Sequence, residues 1–372
     1  MSDNMPMKLH KIFLVITKSY TVLTFRKCLI KKLQDHGCEV GVIAFDDEHK
    51  GEIERLGVRF YSVHSDNRSL NPIGCLKYQK KVEQILLLEK PDSVFTFMLK
   101  PNIFGVFAAK KAKVKNIFSM IEGLGDVFIN TSAKWRVIRV VVSGLYRMSL
   151  KIPKVVFFIN KDDEFEFINR RLVKECKTEL INGIGVDLEH FAQVSVPENR
   201  TALMVARMLK TKGVIEYCEA ARLVKKRFPD AVFKYLGSEG TVSLVDIQPY
   251  IDDGSVDYLG VTNDVRPYLE QCSLFVLPSY REGVPMSVME AEGVGRAIVT
   301  TDAIGCRDTV IDEYNGFLVN CKNSEQLAEK IIWLFENMDK LIEMGCNSRK
   351  FAEEHFDQKL INAQIVDVMG LI

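Results

Sequence analysis

The stretch Ser279-Tyr-Arg-Glu-Gly-Val-Pro-Met-Ser-Val-Met-Glu-Ala-Glu-Gly-Val-Gly295 gathers more potential chemistry than any other part of this 372-residue chain. Two of its acids, Glu282 and Glu290, stand eight residues apart, about two turns on one side of a helix. Glu282 falls in the turn between a strand and that helix, where a carboxylate faces a ligand at the helix mouth, and Glu290 reaches a more distant pair of hydroxyls. The amides of Gly283, Val284 and Met286 open the helix, and their unpaired N–H groups with the aligned dipole suit a phosphate. Pro285 in the first turn removes no useful donor. The same residues also fit a plain acidic helix start with Glu290 salt-bridged at the surface. The setting of Glu290 among Val288, Met289 and Ala291 favours function, because a buried acid needs a partner.

A second group, Arg207 with Lys212-Gly213, stands between a strand and the next helix. Two cations five residues apart across a turn can bracket a diphosphate and offset its charge. A solvated basic loop that also holds Lys210 is the bland alternative, and the convergence of both groups on turns at one sheet edge speaks against it.

The elements that position these residues follow an alternating βα rhythm. Lys11 to Ile16, an amphipathic segment ending at Gly37, and Glu39 to Phe45 form a parallel βαβ unit. Strands are expected at Arg59 to Val63, Ser93 to Phe97, Asn116 to Met120 and Val155 to Asn160, with helices at Pro72 to Glu89 and Ile103 to Lys111. The polar stretch Ala192 to Arg200, with Pro197, interrupts the rhythm. It resumes with strands at Thr201 to Ala206, Ala231 to Leu236, Val256 to Leu259, Ser273 to Pro278 and Ala297 to Thr300. The expected organisation is α/β: two doubly wound Rossmann-like domains, 1–193 and 194–355, with a cleft between them. A helical segment 356–372 packs back towards the first domain.

Composition excludes several classes. With 50 basic and 49 acidic residues, the chain lacks the basic excess of a nucleic-acid binder. Met1 to His10 lacks the features of a secretory leader, and no apolar run approaches the ~20 residues that span a bilayer. Nine cysteines without a Cys-x-x-Cys pair read as reduced, mostly buried cytosolic thiols. Six dispersed histidines and the lack of any Asp-x-Asp leave no metal-binding pattern, so no metal cofactor is expected.

Four segments carry a resemblance to a known family: Val205-Ala-Arg-Met-Leu-Lys-Thr-Lys-Gly213, Asn263-Asp-Val-Arg-Pro-Tyr268, Leu277-Pro-Ser-Tyr-Arg-Glu-Gly283 and Glu290-Ala-Glu-Gly-Val-Gly-Arg-Ala-Ile-Val-Thr-Thr-Asp302. They resemble the retaining glycosyltransferases of the GT-B fold, family 4, which include the bacterial transferases that build O-antigen, capsule and lipid-linked oligosaccharides. The first half is similar more loosely, through Lys100-Pro-Asn-Ile-Phe-Gly105 and Ile121-Glu-Gly-Leu-Gly125. The resemblance implies a nucleotide-sugar donor, UDP-linked, whose diphosphate is held by Arg207 and Lys212. It implies further that Glu290 bonds the ribose, Glu282 faces the sugar, and Gly260 and Val261 line the base. Transfer would proceed with retention and without metal, the cations stabilising the departing diphosphate. The chain departs from many relatives in two places: Thr17 to Thr24 lacks glycine, and Glu122-Gly123 replaces a histidine. Glu122 is therefore the candidate acceptor-side base.

From Val127 to Lys161 there are seven basic residues and no acidic one, interleaved with Trp135, valines and Leu145. Such a helix, over residues 134–154, can lie on an anionic membrane surface, or be a surface helix with its apolar side in the core. A polyprenyl-diphosphate-linked acceptor would suit the first reading, and a cytoplasmic enzyme peripheral on the inner face of the membrane follows from it. A non-hydrolysing nucleotide-sugar epimerase and a non-catalytic two-domain sugar-binding protein are the competing readings. A nicotinamide dehydrogenase is disfavoured, because Gly-x-Gly-x-x-Gly is missing after the first strand.

Overall fold

A computed structural model describes residues 9–65, 71–129 and 132–371; residues 1–8, where most of the expected absence of a leader was read, lie outside these. So do residues 130 and 131 of the basic stretch and 372 of the terminal segment. The chain forms two compact units. One runs up to Ile181 and resumes at Leu360, and the other is Asn182–Lys359.

In the first unit seven strands pair in parallel: β1 (Lys11–Val15), β2 (Glu39–Ala44), β3 (Arg59–Ser62), β4 (Ser93–Phe97), β5 (Asn116–Ile121), β6 (Val155–Phe158) and β7 (Thr178–Leu180). Their order, β3-β2-β1-β4-β5-β6-β7, reverses direction between β1 and β4. Strands such as Phe13-Leu-Val15 and Val94-Phe95 are buried on both faces, as continuous apolar runs under helices must be. The helix Pro72–Glu89 starts where Asn71 accepts the Ile73 N–H at 3.1 Å with proline next in line, and stops at Lys90 in the left-handed region. After β4 comes one wide π-type turn, Pro101–Gly105. Its buried Asn102 accepts from the Thr96 hydroxyl at 2.7 Å and donates to the Met120 carbonyl at 2.7 Å, tying β4 to β5.

The second unit repeats the plan with six parallel strands: β8 (Thr201–Val205), β9 (Val232–Leu236), β10 (Asp257–Tyr258), β11 (Leu274–Leu277), β12 (Ala297–Thr301) and β13 (Gly316–Val319). The order is β10-β9-β8-β11-β12-β13, with its reversal between β8 and β11. The helix Val214–Arg227 turns Val214, Tyr217, Cys218, Ala221 and Val224 into the core, as its spacing requires. The fully buried Arg296 has no carboxylate partner among the described residues. Its guanidinium donates to the carbonyls of Leu269 at 2.8 Å, Glu270 at 3.2 Å, and Val194 and Ser195 at 3.3 Å each.

The units divide at 181/182 and 359/360, where the sequence suggested 193/194 and 355/356. Residues 182–193 stay with the second unit because Val186 and Leu188 bury themselves against Met289, Phe351 and Phe356. Arg349 Nη1 also donates to the Leu188 and Phe191 carbonyls at 3.3 and 3.0 Å. The last helix, Gln358–Val368, bonds to β7 through Gln364, whose amide donates to Glu179 Oε1 at 3.0 Å and the Leu180 carbonyl at 3.2 Å. Among the described residues the nine cysteines form no disulfide, five of them being buried, and no helix is long and apolar enough to cross a membrane.

Candidate donor site

Where neighbouring strands leave a sheet in opposite directions, the loops after them part and open a crevice at the carboxyl edge. In the second unit those loops are 206–213 after β8 and 278–285 after β11. They meet directly: the Tyr280 N–H donates to the Thr211 carbonyl at 2.8 Å. Gly213 makes this approach possible. Its φ is +71°, and a Cβ there would lie 2.1 Å from the Pro278 carbonyl oxygen. On the other side, a Cβ on Gly237 would lie 1.7 Å from the Ala206 carbonyl oxygen. The Gly237 N–H donates to the Gly260 carbonyl at 2.8 Å. The loops bearing Arg207, Lys212, Gly260 and Glu282 therefore abut along one sheet edge.

At their meeting point Lys212 Nζ stands 2.5 Å from Glu282 Oε1, and the Ser279 hydroxyl reaches the same oxygen at 2.6 Å. Glu282 is held by its backbone as well, its N–H donating to the Ile304 carbonyl at 2.9 Å. With 11% of its side chain exposed, it is a carboxylate with charged and neutral donors on one oxygen and a narrow opening to solvent. Ser279, fully buried, was not singled out from the sequence. Its place three residues before Glu282 is the signal that could have found it. Arg207, by contrast, is exposed, and its guanidinium makes no hydrogen bond or ion pair with a described residue.

The helix after Glu282 begins later than the sequence suggested. It spans Met286–Val294 with Pro285 as its N-cap residue, and Gly283 and Val284 lie in the preceding turn. The eight-residue interval from Glu282 to Glu290 is therefore not measured along one helix, and only the amide of Met286 belongs to the helix start. The reason is that Pro285 is extended, at ψ 114°. The Val284 and Met286 side chains pack beside Met289 in the cluster of Val186, Phe351 and Phe356. Val261 is exposed at the tip of the turn after β10.

Glu290 is half-buried in the second turn of that helix, and its carboxylate has no partner among the described residues. Burial pushes its carboxyl up to about 8. Two residues on, Glu292 is fully buried, accepts from Asn315 Nδ2 at 3.1 Å and leaves its second oxygen without a partner. Burial drives this carboxyl well above the usual carboxylate range. Six of the nine residues of this helix are buried and its sequence is apolar almost throughout, so no hydrophobic periodicity separates Glu290, on the half-buried face with Met286 and Ser287, from Glu292.

In the first unit Glu122 pairs with the guanidinium of Arg26, which is buried and stacked 4.3 Å from the centre of the Phe97 ring. A carboxylate already holding a buried cation is not a free base, and Arg26 was not foreseen. The basic helix, Ala133–Ser149, buries Val142, Tyr146 and Ser149 and packs Trp135, Ile138 and Leu145 against the core. Val137, Val140, Val141 and Met148 remain exposed, a second apolar stripe at helical spacing beside exposed Lys134 and Arg136.

Residues 186–351 match the family described as Glycosyl transferases group 1, and residues 11–152 that described as Glycosyl transferase 4-like. Over 355 residues, covering 92% of this chain and 93% of the relative, the chain is 32% identical to the N,N'-diacetylbacillosaminyl-diphospho-undecaprenol alpha-1,3-N-acetylgalactosaminyltransferase of Campylobacter jejuni. It is 26% identical over 293 residues, 74% of each chain, to the UDP-Gal:alpha-D-GlcNAc-diphosphoundecaprenol alpha-1,3-galactosyltransferase of Escherichia coli. Among solved structures, Anabaena HepE in complex with UDP and glucose has a TM-score of 0.77 at 19% identity, covering 98% of this chain and all of that one. Sucrose-phosphate synthase from Thermosynechococcus elongatus has a TM-score of 0.78 at 17% identity, with 96% and 98% covered. The chain belongs to the group 1, 4-like glycosyltransferases, and its two parallel-sheet α/β domains are those of the GT-B fold.

Proposed function

We propose that the chain moves a hexose or N-acetylhexosamine, with retention, from a UDP-linked donor to a polyprenyl-diphosphate-linked saccharide in bacterial surface-glycan assembly. The observation that carries this reading is the charge arrangement at the β8/β11 crevice. Arg207 and Glu290 have no protein partner among the described residues, and Lys212 is matched only by Glu282 across abutting loops. Arg207 and Lys212 offset the diphosphate charge that grows as the sugar leaves, a task a divalent ion performs in other transferases, so turnover needs no metal. Glu290 accepts from ribose hydroxyls, Glu282 faces the sugar, and the turn at Gly260 and Val261 lines the base. Acceptor attack on the face the diphosphate leaves gives retention. Glu122 is assigned to holding Arg26 in place of the base's role.

The names of the Campylobacter jejuni and Escherichia coli relatives both specify a diphospho-undecaprenol-linked acceptor, and the second a UDP-linked donor. They support the acceptor and nucleotide classes for this chain. The exposed stripe Val137, Val140, Val141 and Met148 beside Lys134 and Arg136 supports peripheral binding to the anionic inner face of the membrane, where such an acceptor resides.

A panel of UDP- and GDP-linked sugars, screened for thermal stabilisation with and without EDTA, tests the donor site. A ligand at 100 times its dissociation constant adds ~2.7 kcal/mol. One UDP-sugar should stabilise the wild type regardless of EDTA and fail to stabilise Glu290→Ala. Stabilisation that needs a metal, or none with any nucleotide, would sink the assignment.

A further inference from the structure

Resting on the donor-site reading above, we propose that Ser279 is a positioning residue for the transfer step. Its hydroxyl proton holds the Glu282 carboxylate in place when Lys212 leaves it for the donor diphosphate.

The Ser279 hydroxyl has one proton and two acceptors within reach. The Ser279 hydroxyl oxygen lies 2.6 Å from Glu282 Oε1 and 3.0 Å from the Thr211 carbonyl, and a hydroxyl donates to one acceptor at a time. The Thr211 carbonyl already accepts the Tyr280 N–H at 2.8 Å, so it does not depend on the serine. Glu282 does depend on it. Its Oε1 takes only Lys212 and Ser279 among the described residues. Lys212 cannot lie at 2.5 Å from that oxygen and give its full charge to a diphosphate. Each donor that binds draws the ammonium away, and the carboxylate, largely enclosed, is then left beside the Cys306 thiol, which burial pushes up to about 12 and so keeps neutral. The Cys306 thiol points to the Ser279 carbonyl at 3.8 Å, so among the described residues the hydroxyl is the remaining side-chain donor to Glu282.

The backbone frame of the serine is independent of its side chain. The Thr301 hydroxyl donates to the Ser279 carbonyl, and the Tyr280 N–H bond to Thr211 is made by the main chain. Ser279→Ala therefore removes the proton and keeps the loop, so that Glu282 loses its fixed position opposite the donor sugar while the diphosphate contacts persist.

The test measures turnover as UDP release, using the UDP-sugar that the panel singles out, and affinity for UDP itself. Ser279→Ala should lower kcat between about ten- and a hundredfold, the loss of a hydrogen bond to a charged group, with the dissociation constant of UDP within about twofold. In a Glu282→Ala background the same substitution should change the residual rate by less than about threefold, because the two residues act as one unit. Should the alanine variant fold poorly, Ser279→Cys keeps a weak donor of similar size and should give an intermediate kcat. A loss of UDP affinity matching the loss of kcat, or an undiminished cost in the Glu282→Ala background, would show that Ser279 merely braces the loop. A wild type that binds UDP beside a Ser279→Ala variant of full kcat overturns this inference alone; a wild type that binds no UDP removes the donor site and this inference together.

Discussion

The two units present the same topological reversal, and they furnish it differently. At the β1/β4 reversal Ser19 donates to Asp46, Lys18 sits 3.5 Å from that same acid, and Lys100 is buried over the Phe45 ring. Glu122, after the neighbouring β5, closes on Arg26. At the β8/β11 reversal the loops are braced by backbone contacts at Gly213 and Gly237, with one ion pair, Lys212–Glu282, across them, while Arg207 and Glu290 have no partner among the described residues. The lesson is that a binding edge needs more than topology. When glycine-permitted main-chain contacts shape the loops, cations and acids become available to a ligand; when side chains shape them, the charges are consumed.

The largest effect expected from this contrast is on stability. Glu122→Gln leaves the buried Arg26 without its counter-charge and should cost about 3–5 kcal/mol, read as a lowered midpoint in denaturant titration. A variant of unchanged stability that has lost activity would return Glu122 to the role of base. Next, Lys212→Met should reduce UDP release on the order of 100- to 1000-fold, about 2.7–4 kcal/mol of charge stabilisation, whereas Lys18→Met, which removes an exposed lysine 3.5 Å from Asp46, should stay within about 1 kcal/mol in both stability and rate. Equal losses at the two lysines would erase the distinction between the edges. Gly213→Ala places a Cβ against the Pro278 carbonyl in a left-handed residue and should cost about 1–3 kcal/mol, with donor affinity falling alongside.

A pH series sharpens the comparison further. Glu290 binds its proton up to about 8 when folded, against the usual 4.5, so between those values the folded chain holds a proton that the unfolded chain has released. Its contribution therefore falls as pH rises from 4.5 towards 8 and is flat beyond. Glu290→Gln should become progressively more stable than the wild type across that window in urea titrations; a constant difference would mean the carboxyl is not displaced. Smallest in stability is the triple change of Val137, Val140 and Val141 to serine, within about 0.5 kcal/mol for exposed sites. Sedimentation with anionic vesicles should nonetheless fall sharply, and unchanged sedimentation would remove the helix from the membrane reading.

Much of this architecture was readable before the structure. Apolar runs such as residues 12–16 and 40–45, and the Asn71-Pro72 start with its Lys90-Pro91 stop, announce their elements locally. The strands β7 and β13 escaped because Thr178-Glu-Leu180 has no apolar run and Gly316–Val319 is four residues led by glycine. The donor-edge residues were legible as a motif. What the motif hid was set by tertiary contact: Ser279 paired with Glu282, Arg26 paired with Glu122, and the complete burial of Glu292 beside the half-buried Glu290. The last two depend on which neighbours enclose a side chain, information that spacing along one segment does not carry.

Arg296 has a consequence for how the second unit is made. Two of the carbonyls it gathers belong to Val194 and Ser195, more than a hundred positions earlier in the chain. During synthesis that entry segment has no anchor until β8 through the helix Met286–Val294 have emerged. Contacts of such long sequence separation form late and slow the approach to the native state. Arg296→Lys, which cannot reach four carbonyls at once, should therefore act chiefly on the rate at which the folded unit comes apart, shortening its lifetime while the early steps of folding keep their pace.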